Sequence, residues 1–236
     1  MATNNSTIYL IPSFLYEEAV HTIPPYVLEA VKNCTVIFAE NERTARRFLK
    51  SMDKSIVIDD YEWFAIHKAE AEQVGQFRQK VQEGKNIAII SEAGCPGVAD
   101  PGQVLVMEAQ RLNATIKPLV GPSSILLALM ASGMNGQRFE FVGYLPIDAN
   151  ERNKAIREME AKSAKQQCTQ IFIETPYRNN QLIEALLKNC GKATQLCIAV
   201  DITGPAESIQ TLSIAQWHTK KPDIHKRPAI FLLYAP

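Results

Sequence analysis

One stretch of the chain concentrates residues able to hold a ligand through the backbone: Ser91, Glu92, Ala93, Gly94, Cys95, Pro96, Gly97, Val98, Ala99, Asp100, Pro101 and Gly102. It follows the apolar run Ile87 to Ile90, which reads as a buried strand, and precedes a helical pattern. Small residues and glycines let main-chain amides and carbonyls approach a ligand closely, and open α/β sheets bind ligands outside the carboxyl ends of their strands. The alternative is a long structural turn in which Asp100 caps the next helix and Pro101 opens it. A second loop, Val120-Gly121-Pro122-Ser123-Ser124, leads into a helix of small and apolar residues. Its hydroxyls and free amides could meet the same ligand, or Ser123 or Ser124 could simply cap that helix.

Neither loop matches a nucleotide fingerprint. No GxGxxG follows the first strand, there is no P-loop pattern, and the GxSxG elbow of serine hydrolases is absent. The five cysteines (Cys34, Cys95, Cys168, Cys190, Cys197) are scattered without a CxxC pair, which argues against a disulfide framework and against zinc. The four histidines (His21, His67, His218, His225) are dispersed as well, so no metal site is expected. Lys plus Arg (25) balances Asp plus Glu (25), so any nucleic acid must be met by a local patch rather than by a global cationic field. MATNNSTIYLIP has no basic region followed by an apolar core, and no apolar run reaches the ~20 residues of a membrane span. A cytoplasmic protein that does not enter the membrane is the expectation.

The elements that must position these loops alternate. Thr7 to Ile11, Thr35 to Glu40, Ser55 to Asp59, Asn86 to Ser91 and Ala114 to Val120 read as strands. Between them lie helical patterns: one after Pro24 and Pro25, one from Glu42 to Met52, one from His67 to Gly84 and one from Pro101 to Asn113. Such alternation predicts a sheet with substantial parallel pairing and helices on its faces. Beyond the second loop, strands outnumber helices: RFEFVGYLP, a charged helix from Asn150 to Lys165, CTQIFIE, the helix YRNNQLIEALLKN, then TQLCIAV, ESIQTL and PAIFLLYA. A mixed sheet is expected there. With 236 residues, 46% of them hydrophobic, two α/β domains of similar size are expected, 1–120 and 121–236.

The two loops, in this order, resemble those of the tetrapyrrole methylase superfamily of S-adenosylmethionine-dependent methyltransferases. The closer resemblance is to its small-subunit ribosomal RNA (cytidine-2'-O-)methyltransferase branch. SEAGCPGVADPG stands where that branch has SDAGTPGISDPG, and GPSSILLALMASG where it has a GPSA-type loop with an ASG helix end. FVGYLP (Phe141 to Pro146) and IETPYR (Ile173 to Arg178) match two further segments. The resemblance implies two α/β domains with the methyl donor in the cleft between them, a homodimer, and ribosomal RNA or the small ribosomal subunit as partner. It implies a donor site of Pro12, Ser91, Glu92, Val98, Ser123 and Ser124, with Glu174, Thr175, Val200, Asp201, Pro228 and Ala229 from the second domain. The sequence departs from the branch at Pro12 to Glu18, where a glycine is lost, at Glu40 to Arg43, and at Glu92, where the branch has aspartate. The carboxy-terminal extension of the ribosomal RNA enzymes is not seen after PAIFLLYAP.

Methyl transfer from a sulfonium is an in-line displacement, so alignment and exclusion of water are the main tasks. A ribose hydroxyl would also profit from a base or from electrostatic help. Glu40, Glu42 and Arg43 are the candidates by position, the alternative being that they cap and charge the following helix. Arg43, Arg46, Arg47 and Lys50 share a helix face, either a phosphate-contacting stripe or an ordinary solvated surface. Tyr177 and Arg178 are expected to border the donor or acceptor pocket. A small-molecule acceptor such as a tetrapyrrole, and a non-catalytic donor-binding protein, are the competing functions.

Overall fold

The computed structural model describes residues 6–66 and 70–236, so His67 and the first residues of the helix expected from it lie outside the described residues. The chain divides into two compact units, one ending at Ser123 and the next beginning at Ser124.

The first unit has strands β1 (Thr7–Ile11), β2 (Val36–Ala39), β3 (Glu62–Ala65), β4 (Ile87–Ile90) and β5 (Thr115–Pro118). All pair in parallel, in the order β3-β2-β4-β1-β5. Its helices are α1 (Tyr26–Lys32), α2 (Glu42–Met52), α3 (Glu70–Gln82) and α4 (Gln103–Arg111). Strand side chains alternate between faces. Ile37, Ala39, Ala88 and Ile90 therefore pack with Val27, Val31, Phe48 and Leu49 of α1 and α2. Val36, Phe38, Ile87 and Ile89 pack with Phe77, Val81, Leu105 and Ala109 of α3 and α4. Helices on both faces explain why β2 and β4 are buried at every position.

One expected strand is corrected. Ser55 to Asp59 is not extended into a sheet; β3 begins only at Glu62. The Asp53 carboxylate accepts from the Ser55 amide (2.8 Å) and hydroxyl (2.6 Å), and this local turn outcompetes the β-branched composition that follows. Ile56 is buried from the loop instead.

The second unit holds α5 (Ser124–Ser132), β6 (Phe139–Tyr144), α6 (Ala149–Gln166), β7 (Thr169–Ile173), α7 (Asn179–Asn189), β8 (Gln195–Val200), β9 (Ser208–Ser213), α8 (Ile214–Thr219) and β10 (Ala229–Tyr234). The sheet order is β6-β7-β10-β8-β9; only β6 and β7 pair in parallel, and the others are antiparallel. Phe172, Leu196, Ile198, Phe231 and Leu233 face Ile156, Leu182, Ile183, Leu186 and Trp217 of α6, α7 and α8. Helix α5 packs on β9 and β10, where the Thr211 hydroxyl donates to Ser132 O at 2.8 Å.

Candidate functional site

In the first unit the registers Ile11 with Ile90 and Ala39 with Ile90 bring the carboxyl ends of β1, β4 and β2 level. Three loops therefore leave one edge side by side, beginning with Pro12, Ser91 and Glu40. Ser13 clamps two of them. Its amide donates to Gly94 O (2.8 Å), Gly94 N donates back to Ser13 O (3.1 Å), and its hydroxyl donates to Ser91 O (2.8 Å). The second loop joins through contact as well: Cys95 Sγ lies 3.6 Å from Pro122 O, to which it donates. A Cβ on Gly121 would sit 2.1 Å from the Pro12 ring, so only glycine lets these loops approach so closely.

The long loop is wound tightly. Gly97 (φ 77°), Ala99 (φ 65°) and Gly102 (φ 122°) are left-handed, and Gly97 N donates to Pro101 O at 3.1 Å. Asp100 does not cap α4: the helix starts at Gln103, its cap residue is Gly102, and no side chain caps it. Ser91 is buried, whereas Val98 stands out at 49% exposure. Ser123 and Ser124 are half-buried at the start of α5.

Carboxylates gather beside this loop. Glu92 N donates to Glu40 Oε2 (2.8 Å), and the Thr44 hydroxyl donates to Glu92 Oε1 (3.2 Å). Burial, followed by the charges of Glu40 and Glu92, pushes the Asp100 carboxyl up to about 7. Of the three residues expected near the acceptor, Glu40 is thus tied to the loop. Glu42 instead pairs with Arg46 (2.9 Å) on the surface of α2. Asn41 caps α2, accepting from Arg43 N and Thr44 N, and the Arg43 side chain has no partner among the described residues. The basic face is largely committed. Arg46 also lies over Trp63 at 4.9 Å, Arg47 pairs with Glu17 at 3.2 Å, and Lys50 donates to Lys54 O at 3.1 Å. Next to Ser91 and Glu92 opens a cavity of about 290 Å³.

In the second unit, Val200 pairs with Ala229, and Ile230 with Ile173. The end of β7, the end of β8 and the start of β10 therefore share one sheet edge, which gathers Glu174, Thr175, Val200, Asp201, Pro228 and Ala229. The Glu174 side chain is 1% exposed; its Oε1 accepts from Thr175 N (2.6 Å) and from Arg178 Nε (2.9 Å), while its Oε2 is buried without a hydrogen-bond partner. Asp201, left-handed at φ 49°, pairs with Arg227 at 2.7 Å and donates its amide to Pro228 O. Tyr177 is 71% exposed and meets His225 edge-on at 6.2 Å, with Lys226 Nζ 5.8 Å from its ring centre. Arg178 is therefore an anchor for Glu174, and Tyr177 lies on the surface.

The sequence gives no sign that Ser13 and Thr44 belong to the site, and it marks Asp100 only as a member of the long loop and a possible helix cap. Ser13 and Thr44 are ordinary loop and helix-start residues whose contacts arise only from the strand register.

Comparison with known proteins places this geometry. The family model for tetrapyrrole (corrin/porphyrin) methylases matches residues 20–217. The chain belongs to the tetrapyrrole methylases. Among curated relatives of the family, the ribosomal RNA small subunit methyltransferase I of Vibrio cholerae is 28% identical over 98% of this chain and 80% of its own length. The protein of the same name from Buchnera aphidicola subsp. Schizaphis graminum is 32% identical over 87% and 70%, respectively. Solved structures share the family fold. The methyltransferase CobJ superposes with a TM-score of 0.63 at 17% identity, covering 98% of this chain and 99% of its own. A uroporphyrin-III C-methyl transferase from Thermus thermophilus, complexed with S-adenyl homocysteine, gives 0.59 at 14% identity, with 97% of each chain covered. Among the described residues, no helix is long and apolar enough to cross a membrane.

Proposed function

We propose that this chain is an S-adenosylmethionine-dependent methyltransferase that modifies ribosomal RNA of the small subunit, at the ribose 2'-oxygen of a cytidine. The observation that carries this reading is the convergence of Pro12, Ser91 and Gly121 at one sheet edge of a methylase-family chain whose curated relatives bear the ribosomal RNA name.

The donor supplies an electrophilic methyl group. The residues present suit it. The Pro12, Ser91 and Gly121 segments offer main-chain groups at close range, Val98 an exposed apolar contact, and Ser123 and Ser124 hydroxyls. In the second unit, the unpartnered Glu174 Oε2 suits an ammonium or a ribose hydroxyl, and Thr175, Val200, Asp201, Pro228 and Ala229 stand on the same sheet edge. Arg178 would hold the Glu174 carboxylate in place rather than contact the donor.

A ribose hydroxyl must lose its proton as it takes the methyl group. Glu40 lies against the loop, and Asp100 beside it titrates near neutrality, where a general base is most effective. Glu42, turned to Arg46, drops from that role. The reading includes a cytoplasmic location, where ribosomes are assembled. It also includes a homodimer, favoured by the exposed apolar side chains Leu126, Met130, Tyr144 and Ile147 of the second unit.

The test is mass spectrometry of ribosomal RNA nucleosides from cells with and without the chain, together with calorimetry against S-adenosylmethionine. A methylated cytidine that vanishes with the chain is expected. Absence of donor binding would remove the reading.

A further inference from the structure

The cavity of about 290 Å³ in the first unit lies against the start of the donor loop, with Ser91, Glu92 and Ala93 of that loop on one side and residues of the loop after β1 and of α2 on the other. Its size is at the small end of small-molecule sites, suited to one nucleoside rather than to a stretch of helix. Its lining divides by chemistry. Phe14, Leu15 and Phe48 supply an apolar wall, the two phenyl rings meeting edge to face at 5.3 Å. Thr44, Arg47, Glu17 and Glu92 supply the charged and polar side chains, with Ser13 and Ser91 beside them; of the two carboxylates, Glu17 is taken up by Arg47 at 3.2 Å.

Glu92 is held in a fixed attitude from two sides. Its amide is bound by Glu40, and its Oε1 by the Thr44 hydroxyl. Its Oε2 has no partner among the described residues, so one acceptor of a positioned carboxylate is left for a ligand. A planar ring against phenyl groups, with an amine presented to a carboxylate, is the contact set by which proteins recognise an unstacked, amino-bearing base. Uracil presents a carbonyl where cytosine presents its amine, so the same carboxylate repels it.

We infer that this cavity receives the acceptor nucleobase, an amino-bearing pyrimidine turned out of its stack, and that Glu92 is the residue that selects it over uracil. The inference rests on the methyltransferase reading and names the substrate recognition of that site. Turning the base into the cavity would bring its own ribose to the Ser91 to Ala93 segment. Arg47, now paired with Glu17, would meet the ring carbonyl or the adjoining phosphate.

Two measurements test it. The first is methyl transfer to small ribosomal subunits carrying cytidine or uridine at the modified nucleotide, with the wild-type chain and Glu92→Gln. A glutamine amide can present either oxygen or nitrogen, so the expected wild-type preference for cytidine, about tenfold to a hundredfold, should fall to about threefold or less in the variant. An unchanged preference in Glu92→Gln overturns the inference. The second is saturation-transfer NMR with free cytidine and uridine, which needs no methyl transfer. Cytidine should contact the wild-type protein and lose contact in a folded Leu15→Trp variant that fills the cavity. Equal signals from the two nucleosides, or a cytidine signal that persists in Leu15→Trp, overturn the inference. Cytidine contact without any transfer to RNA would leave the cavity assignment standing and sink the methyl-transfer reading, so the two failures are distinguishable.

Discussion

The two units build their strand ends by different means. In the first, the loops after β1, β4 and β5 leave parallel strands and are held together mainly by close backbone approach: the Ser13 and Gly94 bridge, the contact of Gly121 with Pro12, and the left-handed turns of the Ser91 to Gly102 loop. In the second, the edge is pinned by ion pairs between residues of the loops at the strand ends, Glu174 with Arg178 and Asp201 with Arg227. The difference follows from the sheets. A parallel sheet directs several carboxyl ends to one edge, where close approach is limited by side-chain bulk. The antiparallel strands of the second sheet place a strand start beside strand ends, and charged side chains fill the gaps.

Breaking the second kind of end should cost most. Arg178→Met leaves Glu174 buried and unpaired, which should destabilise the second unit by about 3–5 kcal/mol, read by denaturant unfolding. A loss below about 1 kcal/mol would mean that Glu174 takes up a proton or finds water, and that the pin is weak. In the first unit, Gly121→Ala forces a methyl group into Pro12, and about 1–3 kcal/mol is expected together with weaker donor binding by calorimetry. Donor affinity unaffected by this change would separate the loop contact from donor binding.

Asp100 gives a finer contrast, because it makes the first unit sensitive to pH. Its carboxyl titrates at about 7 in the folded chain but at ~3.9 when unfolded, so its contribution to stability is fully present below about pH 4 and is lost as pH rises to about 7. Asp100→Asn should flatten that slope and stabilise the chain above pH 7 by on the order of 1–2 kcal/mol, since a half-buried group is relaxed by nearby solvent. Equal slopes in the two proteins over that interval would refute it. The smallest effect is expected at Ala99, where glycine relieves the left-handed backbone but frees the unfolded chain: Ala99→Gly should change stability by less than ~1 kcal/mol, with either sign. A larger loss would mean that the Ala99 methyl group makes a contact the turn needs.

The alternating pattern of the first half was legible because β2 and β4 are apolar throughout and the helices carry clear ends, Asn113 turning left-handed after α4. Ser55 to Asp59 misled because its composition is that of a strand, while the deciding interaction is one carboxylate two residues upstream. Helix α8 was passed over, although Ser213 and Gln216 form a capping box that the sequence displays at the right spacing. The loops of the site were legible in their glycines and in their resemblance to the methylases. Their joining was not, because it depends on register: Ser13 reaches Gly94, and Thr44 reaches Glu92, only once β1, β2 and β4 lie side by side. For the same reason Glu40 and Glu42 looked equivalent in sequence, although one turns to the loop and the other to Arg46.

The central claim is tested most directly by incubating the purified chain with small ribosomal subunits and S-adenosylmethionine labelled in its methyl group. The account predicts label in ribosomal RNA, recovered as a 2'-O-methylated cytidine at one position. Donor bound tightly with no label in the RNA would contradict it.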